Sequence, residues 1–275
     1  MSAGFHRRGT PPYGQHFLHD KNLLALIVNS AGLSPGDMVI EVGVGTGKLT
    51  RAILDVGASV TGVEIDSSVV AAVEEQFAKD TSFRLVQGDI LRIPWEGLLP
   101  QEGQVVFMGN LPYAVSSQVI FRILQYPEAV SRAIFLVQWE VGRRLAADPG
   151  SKEFGIMSVA CQLHGRPRIL RKVPPGVFLP PPKVDSALVR WDVASEPVYQ
   201  LRSREFTRHV VRAAFAQRRK KLVNSLASRM ESVNKIALVE ALDRLDLGEG
   251  VRAEQVTVEQ FARLSNMLYD METKR

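Results

Sequence analysis

At 275 residues, 45% hydrophobic and 23% charged, the chain has an ordinary globular composition and enough length for one large domain and one small one. Its apolar runs, such as 133–137, fall far short of the roughly 20 residues that a membrane span requires, and Met1–Thr10 has no apolar stretch of the signal-peptide kind, so a cytoplasmic protein is expected. The single Cys161 excludes an internal disulfide and a cysteine-built metal site, and its apolar neighbourhood, 156–163, marks it as a small buried hydrophobe.

The chain starts with His6, Arg7 and Arg8 and has no acid before Asp20. A motif already begins at Gly14, which leaves little to cleave, so this stretch reads as a basic arm and not as a transit peptide. From Met38 to Asp192, short β-branched runs alternate with helical patterns, which predicts an α/β fold of Rossmann-like type. Strands are expected at 38–43, 59–64, 83–89, 104–110, 132–138, 168–173 and 186–192. Helices are expected at 49–56, 67–79, 116–125, 139–147 and 154–164. The first five strands should each lead into a helix, giving parallel crossovers. The segment 174–183 carries five prolines and no helical pattern, which suits an antiparallel last strand. Beyond Val193 only helical patterns occur, near 204–216, 220–229, 235–242 and 258–271. Ser195 and Pro197 mark the boundary, so the expected domains are 1–195, catalytic, and 196–275, a small all-α domain.

Glu41-Val42-Gly43-Val44-Gly45-Thr46-Gly47 follows the first strand and opens a helix. Gly43 and Gly45 would let backbone approach a ligand closely, beside the unpaired N–H groups of a helix start. A P-loop would need glycine where Val42 stands and Ser or Thr where Leu49 stands, so that reading fails. A dinucleotide loop would need glycine in place of Lys48, although Glu64, 21 residues after Gly43, fits its ribose-binding acid. The next strand ends carry more weight. Glu64 closes the second strand, where a carboxylate can accept from both ribose hydroxyls, and Asp89 closes the third, where it can accept from an adenine amino group. Ligands of open α/β sheets bind at these carboxyl ends. The series resembles the class I S-adenosylmethionine methyltransferases. The bland alternative, in which Glu64 and Asp89 merely cap the helices that follow, stays open here.

Asn110-Leu111-Pro112-Tyr113 directly follows the fourth strand. The amino nitrogen of adenine is a poor nucleophile because its lone pair is delocalised into the ring. Two acceptors holding its N–H bonds, the Asn110 side-chain oxygen and the Leu111 backbone carbonyl, would favour a pyramidal nitrogen with an available lone pair. Pro112 fixes the local backbone, and Tyr113 offers a ring face on which a base can stack, worth roughly 1–3 kcal/mol. No metal is required. Strings of this type resemble those of methyltransferases acting on planar amino nitrogens, DNA adenine enzymes included, so the motif points to the atom and leaves the polymer open. A simple turn remains the alternative.

Charge points to the polymer. Between Gln200 and Arg229 lie nine Arg and Lys side chains, Arg212, Arg218, Arg219, Lys220 and Lys221 among them, against Glu205 alone; this local +8 leaves −3 for the rest of a chain whose net charge is +5. Such concentration suits a polyanion-binding face, with a solvated helix surface as the alternative.

Taken together, the chain resembles the ribosomal RNA adenine dimethyltransferases of the bacterial small-subunit type. The likeness runs from about Gly14 to Leu226 and extends to the helical tail. Gly14-Gln15-His16-Phe17-Leu18 lines up with the family's N-terminal cofactor motif, with His16 in place of the usual Asn. The resemblance implies that His16 and Leu18 contact the cofactor and that Asn110 borders it. Val177 to Ser186 matches the family's proline-rich loop, which implies that Phe178 and Tyr113 sandwich the target adenine. Arg212 to Leu226 is the most selective string; the erythromycin-resistance methyltransferases share the catalytic domain but typically lack it. What the resemblance implies is S-adenosylmethionine-dependent dimethylation of two adjacent adenosines in the 3′-terminal hairpin loop of small-subunit rRNA, with the pre-small ribosomal subunit as partner. Alternatives are the same chemistry on large-subunit rRNA, a catalytically silent RNA-binding assembly factor, and a nicotinamide dehydrogenase.

Overall fold

A computed structural model describes residues 15–230 and 233–273. The basic arm and Gly14 lie outside these described residues. The order of elements is β1 (Phe17–Leu18), α1 (Lys21–Ala31), β2 (Met38–Val42), α2 (Lys48–Leu54), β3 (Ser59–Glu64), α3 (Ser67–Phe77), β4 (Phe83–Gln87), β5 (Val105–Asn110), α4 (Ser116–Ile123), β6 (Val130–Gln138), α5 (Trp139–Leu145), α6 (Ile156–Gln162), β7 (Arg168–Val173), β8 (Phe178–Leu179), β9 (Ser186–Asp192), then α7 (Arg204–Phe215), α8 (Leu222–Ala227), α9 (Lys235–Asp243) and α10 (Val258–Thr273). Among the described residues no helix is long and apolar enough to cross a membrane.

Seven strands form one sheet in the order β4-β3-β2-β5-β6-β9-β7, and β9 alone runs antiparallel to its neighbours. The central strands β2, β5 and β6 read as near-continuous apolar runs because they are buried, whereas the edge strands β4 and β7 carry charged, exposed residues. In β5, Val106 and Met108 join a core built with α1 and α2, while Phe107 points to the opposite side and stacks on Trp95. Gly109 shows why glycine precedes the Asn: a Cβ there would stand 2.4 Å from the Val42 carbonyl oxygen of β2.

The structure corrects the sequence reading in four places. First, β4 leads into a single 3-10 turn, Trp95–Gly97, and not a helix; Pro94, Gly97 and Pro100 leave no room for one. Second, α1 is added, with Asp20 accepting from Leu23 N at its start and Gly32 in the left-handed region at its end. Third, β1 pairs with β8 across 160 residues of sequence, Phe17 opposite Leu179 and Leu18 opposite Phe178. Fourth, the division of the chain is not contiguous. The first compact unit runs through Gly142 and resumes at 168–195; residues 143–167 belong with 196 onward. The reason lies in Ala147, Phe154, Val159 and Leu163, which share one core with Val210, Ala214, Leu222 and Phe261. Cys161 is fully buried, and burial pushes its thiol pKa up, as a small inert hydrophobe requires.

Candidate active site and nucleic-acid interface

The carboxyl ends of β2, β3, β4 and β5, together with β1, line a cleft of about 240 Å³ in the first unit. His16, Leu18, Gly43, Gly45, Glu64, Asp89 and Asn110 all line it, as do Leu111, Pro112 and Tyr113. Residues separated by almost a hundred positions are thus brought to one place.

The glycine loop is shaped from within. Gly43, Gly45 and Gly47 have φ of 78°, 55° and 70°, in the left-handed region that glycine tolerates best. A Cβ on Gly45 would sit 3.0 Å from the Phe17 ring, so the loop and the N-terminal strand pack as closely as a bare backbone permits. Glu64 is 3% exposed and accepts from Gly45 N at 2.8 Å and from Asp66 N at 2.9 Å. The N-cap of α3 is Asp66, which accepts from Ser68 N, so Glu64 is not that helix's cap. Asp89 does cap locally: its Oδ1 accepts from Leu91 N at 2.9 Å, and its Oδ2 lies 3.5 Å from Arg92 Nε.

Glu41 was not among the expected site residues. It is 1% exposed, lines the cleft, and accepts from Thr50 Oγ1 through Oε2 at 2.6 Å; its Oε1 is buried without a partner. Burial, reinforced by the neighbouring Glu64 and opposed by the Thr50 hydrogen bond, pushes its pKa up to about 8. The signal was present in the sequence as an acid beginning the glycine loop.

At the end of β5 the Asn110 amide is oriented by what it touches. Its Nδ2 donates to the His16 backbone oxygen at 2.6 Å, and a carbonyl can only accept, so Oδ1 must lie on the other side of the amide. Leu111 N donates to the Leu136 oxygen at 3.0 Å, and its side chain is buried, leaving only backbone to take part in chemistry. The Tyr113 hydroxyl shares a 2.9 Å hydrogen bond with Ser186 Oγ, and burial raises its pKa, so it stays neutral. The His16 ring lies 5.5 Å from the Tyr113 ring and donates through Nδ1 to the Pro180 oxygen at 2.7 Å. His16 therefore fastens the N-terminal strand, the Asn110–Tyr113 string and the proline-rich loop together.

Phe178 is where the expectation fails. It is 2% exposed, does not line the cleft, and packs with Leu18, Leu24 and Leu188 in the core. In β8 successive residues alternate, and the outward one is Leu179, which is 61% exposed.

In the second unit, α7 ends at Phe215 and α8 starts only at Leu222, so Arg218 and Arg219 lie between the two helices as expected, and Lys220 and Lys221 join them in the turn instead of opening the second helix. All four are exposed, as is Arg212. Gln217 N donates to Ser225 Oγ, which itself donates to the Ala213 oxygen, and so the turn is braced. Arg218 is spent partly on structure, donating to the Lys152 and Phe154 carbonyls. Arg202 and Arg204 pair with Asp270 and Glu196, which moves the uncompensated charge to the turn. Among the described residues no ion pair involves Arg212, Arg219, Lys220 or Lys221.

Comparison with known proteins decides the family. The sequence model of the ribosomal RNA adenine dimethylases matches residues 7–270. This chain belongs to that family. A ribosomal RNA small subunit methyltransferase A from Halothermothrix orenii is 38% identical over 261 residues, 93% of this chain and 87% of the relative. The protein of the same name from Pseudomonas aeruginosa is 34% identical over the full length of both. Among solved structures, the 23S rRNA methyltransferase ErmE is 28% identical with a TM-score of 0.73, covering 92% of this chain and 99% of its own. A dimethyladenosine transferase from Plasmodium falciparum, 23% identical with a TM-score of 0.79 over 94% of this chain and 98% of its own, shares the fold. The cleft and the Asn110–Tyr113 string thus occur in a chain whose family is the ribosomal RNA adenine dimethylases.

Proposed function

We propose that this dimethylase uses S-adenosylmethionine to dimethylate the amino nitrogen of two adjacent adenosines in the 3′-terminal hairpin loop of small-subunit rRNA. The observation that carries the reading is the fixed amide of Asn110 beside the Leu111 backbone in a cleft that Glu41, Glu64 and Asp89 also line.

The residues fit the cofactor. Glu64 has its carboxylate anchored toward the loop where ribose hydroxyls can donate to it, and Asp89 is an acceptor for the adenine amino group. Glu41 adds a buried carboxyl group to the same cleft, and Gly43, Gly45, His16 and Leu18 bring backbone to the ligand's edge. When bound, S-adenosylmethionine supplies an electrophilic methyl group on a positively charged sulfur. Asn110 Oδ1 and the Leu111 carbonyl hold the two N–H bonds of the target amine and localise its lone pair. Pro112 keeps these acceptors in place, and Tyr113 stacks on the base. Phe178 is left out of this scheme; Tyr113, backed by His16, is the ring that meets the base. The proton of the alkylated amine goes to water, since that nitrogen is a strong acid once alkylated. Alignment of fixed groups supplies most of the rate.

Arg212, Arg219, Lys220 and Lys221, with Arg218 in part, are the contacts to rRNA phosphates, and 196–275 with its added segment is the rRNA-binding unit. A hairpin loop suits the chemistry because its bases are already partly unstacked and cost less to extrude. A second reading, methylation of large-subunit rRNA, is favoured by the likeness to ErmE. Transfer of labelled methyl to purified subunits from a host lacking the modification separates the two. Incorporation as dimethyladenosine into the small subunit alone is expected; incorporation into the large subunit alone supports the second reading, and cofactor binding without transfer to either points to a silent assembly factor.

A further inference from the structure

The residues after Asp89 form one edge of the cleft, yet 88–94 belong to no helix and no strand. Backbone carbonyls in such a turn lack ladder partners and would ordinarily turn to water. Here three of them are claimed by two side chains. Trp95 Nε1 donates to the Ile90 oxygen at 2.9 Å, and the Arg122 guanidinium donates through Nη1 to the Leu91 oxygen and through Nη2 to the Ile93 oxygen at 2.7 Å. The two claimants brace each other, with the guanidinium carbon 5.1 Å from the Trp95 ring centroid. Trp95 is wholly buried, stacked on Phe107 at 4.8 Å and near Tyr126 at 5.7 Å. Inside the turn, Arg92 N and Ile93 N donate to the Asp89 backbone oxygen, while Leu91 N holds Asp89 Oδ1. The carboxylate direction is therefore set by the turn, and the turn is set by Arg122 and Trp95. Arg122 sits on α4, which begins three residues after Tyr113.

We propose that Arg122 and Trp95 are positioning residues that aim the Asp89 carboxylate, and through it set the preference for a cofactor carrying a 6-aminopurine. This rests on the cofactor reading above. A planar, forked donor is what two carbonyls two residues apart need, and lysine cannot serve both in the same fixed geometry. Held still, Asp89 accepts from an amino group and meets a 6-oxo group oxygen to oxygen, and such a mismatch rejects an analogue far more strongly than lost apolar contact does. A slack turn lets the carboxylate swing away, so the amino contact weakens while the oxo clash is relieved.

The test compares binding of S-adenosylhomocysteine and S-inosylhomocysteine by calorimetry, for the full chain and for Arg122→Leu, Arg122→Lys and Trp95→Phe. Arg122→Leu should weaken the adenosyl ligand about tenfold, as loss of charge-assisted hydrogen bonds transmitted to one contact implies, and change the inosyl ligand less than about twofold. Arg122→Lys should recover part of the preference, and Trp95→Phe, which keeps the ring but loses the N–H, should erode it about threefold. If Arg122→Leu does not fold, the same ratio is read on the other two variants. Equal weakening of both ligands, or an unchanged preference, would overturn the proposal, because a merely structural strut cannot discriminate amino from oxo. If the unaltered protein bound neither ligand, the cofactor reading itself would fall; a strong wild-type preference that the variants leave intact removes only the positioning role.

Discussion

In the cleft of the first unit the acids are buried and tied down. Glu64 is held by two backbone N–H groups, Glu41 by Thr50, and Asp89 by Leu91. In the second unit the important cations stand exposed on a turn, and among the described residues Arg218 is the one of the four engaged by backbone carbonyls, those of Lys152 and Phe154. The contrast teaches which interactions each region can use. A buried acceptor acts through direction at short range, where removing one atom leaves partners unsatisfied. An exposed cation acts through a field that salt screens and that neighbouring cations share. The first should therefore fail abruptly with single substitutions, and the second gradually.

That contrast bears first on Glu64. Glu64→Ala strands two buried N–H groups and should weaken S-adenosylmethionine about a hundredfold, with Glu64→Gln, which keeps one acceptor, near tenfold. Calorimetry checks it; unchanged affinity would mean that Glu64 is scaffold only. Next comes Glu41. With a folded-state pKa of about 8 against an ordinary 4.5, it keeps its proton in the fold while the unfolded chain loses it as pH rises. Its contribution to stability is present below the ordinary value, declines between the two values and is flat above the upper one; across that window the wild type should lose about 5 kcal/mol relative to Glu41→Gln. Denaturant unfolding of the ligand-free protein across the window measures this, and parallel pH profiles for the two proteins would contradict it. The smallest effects belong to the turn. Arg219→Gln, Lys220→Gln and Lys221→Gln should each weaken rRNA binding only a few-fold and reduce the slope of log affinity against log salt by about 0.7–0.9 apiece. Arg218→Gln should lower the melting temperature as well, since it also loses backbone partners. A slope unchanged by the triple variant would move the phosphate contacts elsewhere.

Most of the sheet was legible because buried parallel strands write themselves as continuous Val, Ile and Phe runs, and Glu64 and Asn110 stand at the very ends their positions predict. What escaped was mainly what is decided across the chain. Two residues each of β1 and β8 carry no local signal, and their pairing is accompanied by a hydrogen bond from His16 to the Pro180 oxygen far along the chain. Phe178 looked like a stacking residue in its motif, but the alternation of β8 turns it inward. Residues 143–167 continue an α/β pattern in sequence while Phe154 finds its core among later helices. By contrast α1 is written plainly in the sequence, with Asp20 and Gly32 at its ends and Leu23, Leu24, Ile27, Val28 and Ala31 along one face. The +8 segment was readable as charge, though only the fold shows that Asp270 and Glu196 neutralise part of it.

The Asn110 amide is the group on which the proposed transfer depends most directly. Single-turnover methyl transfer to small subunits, at saturating S-adenosylmethionine, should slow on the order of 10²- to 10³-fold in Asn110→Ala, as when one fixed polar partner of a transition state is removed, while cofactor affinity changes only a few-fold. Transfer at near wild-type rate by Asn110→Ala would contradict the claim that this side chain holds the reacting amine.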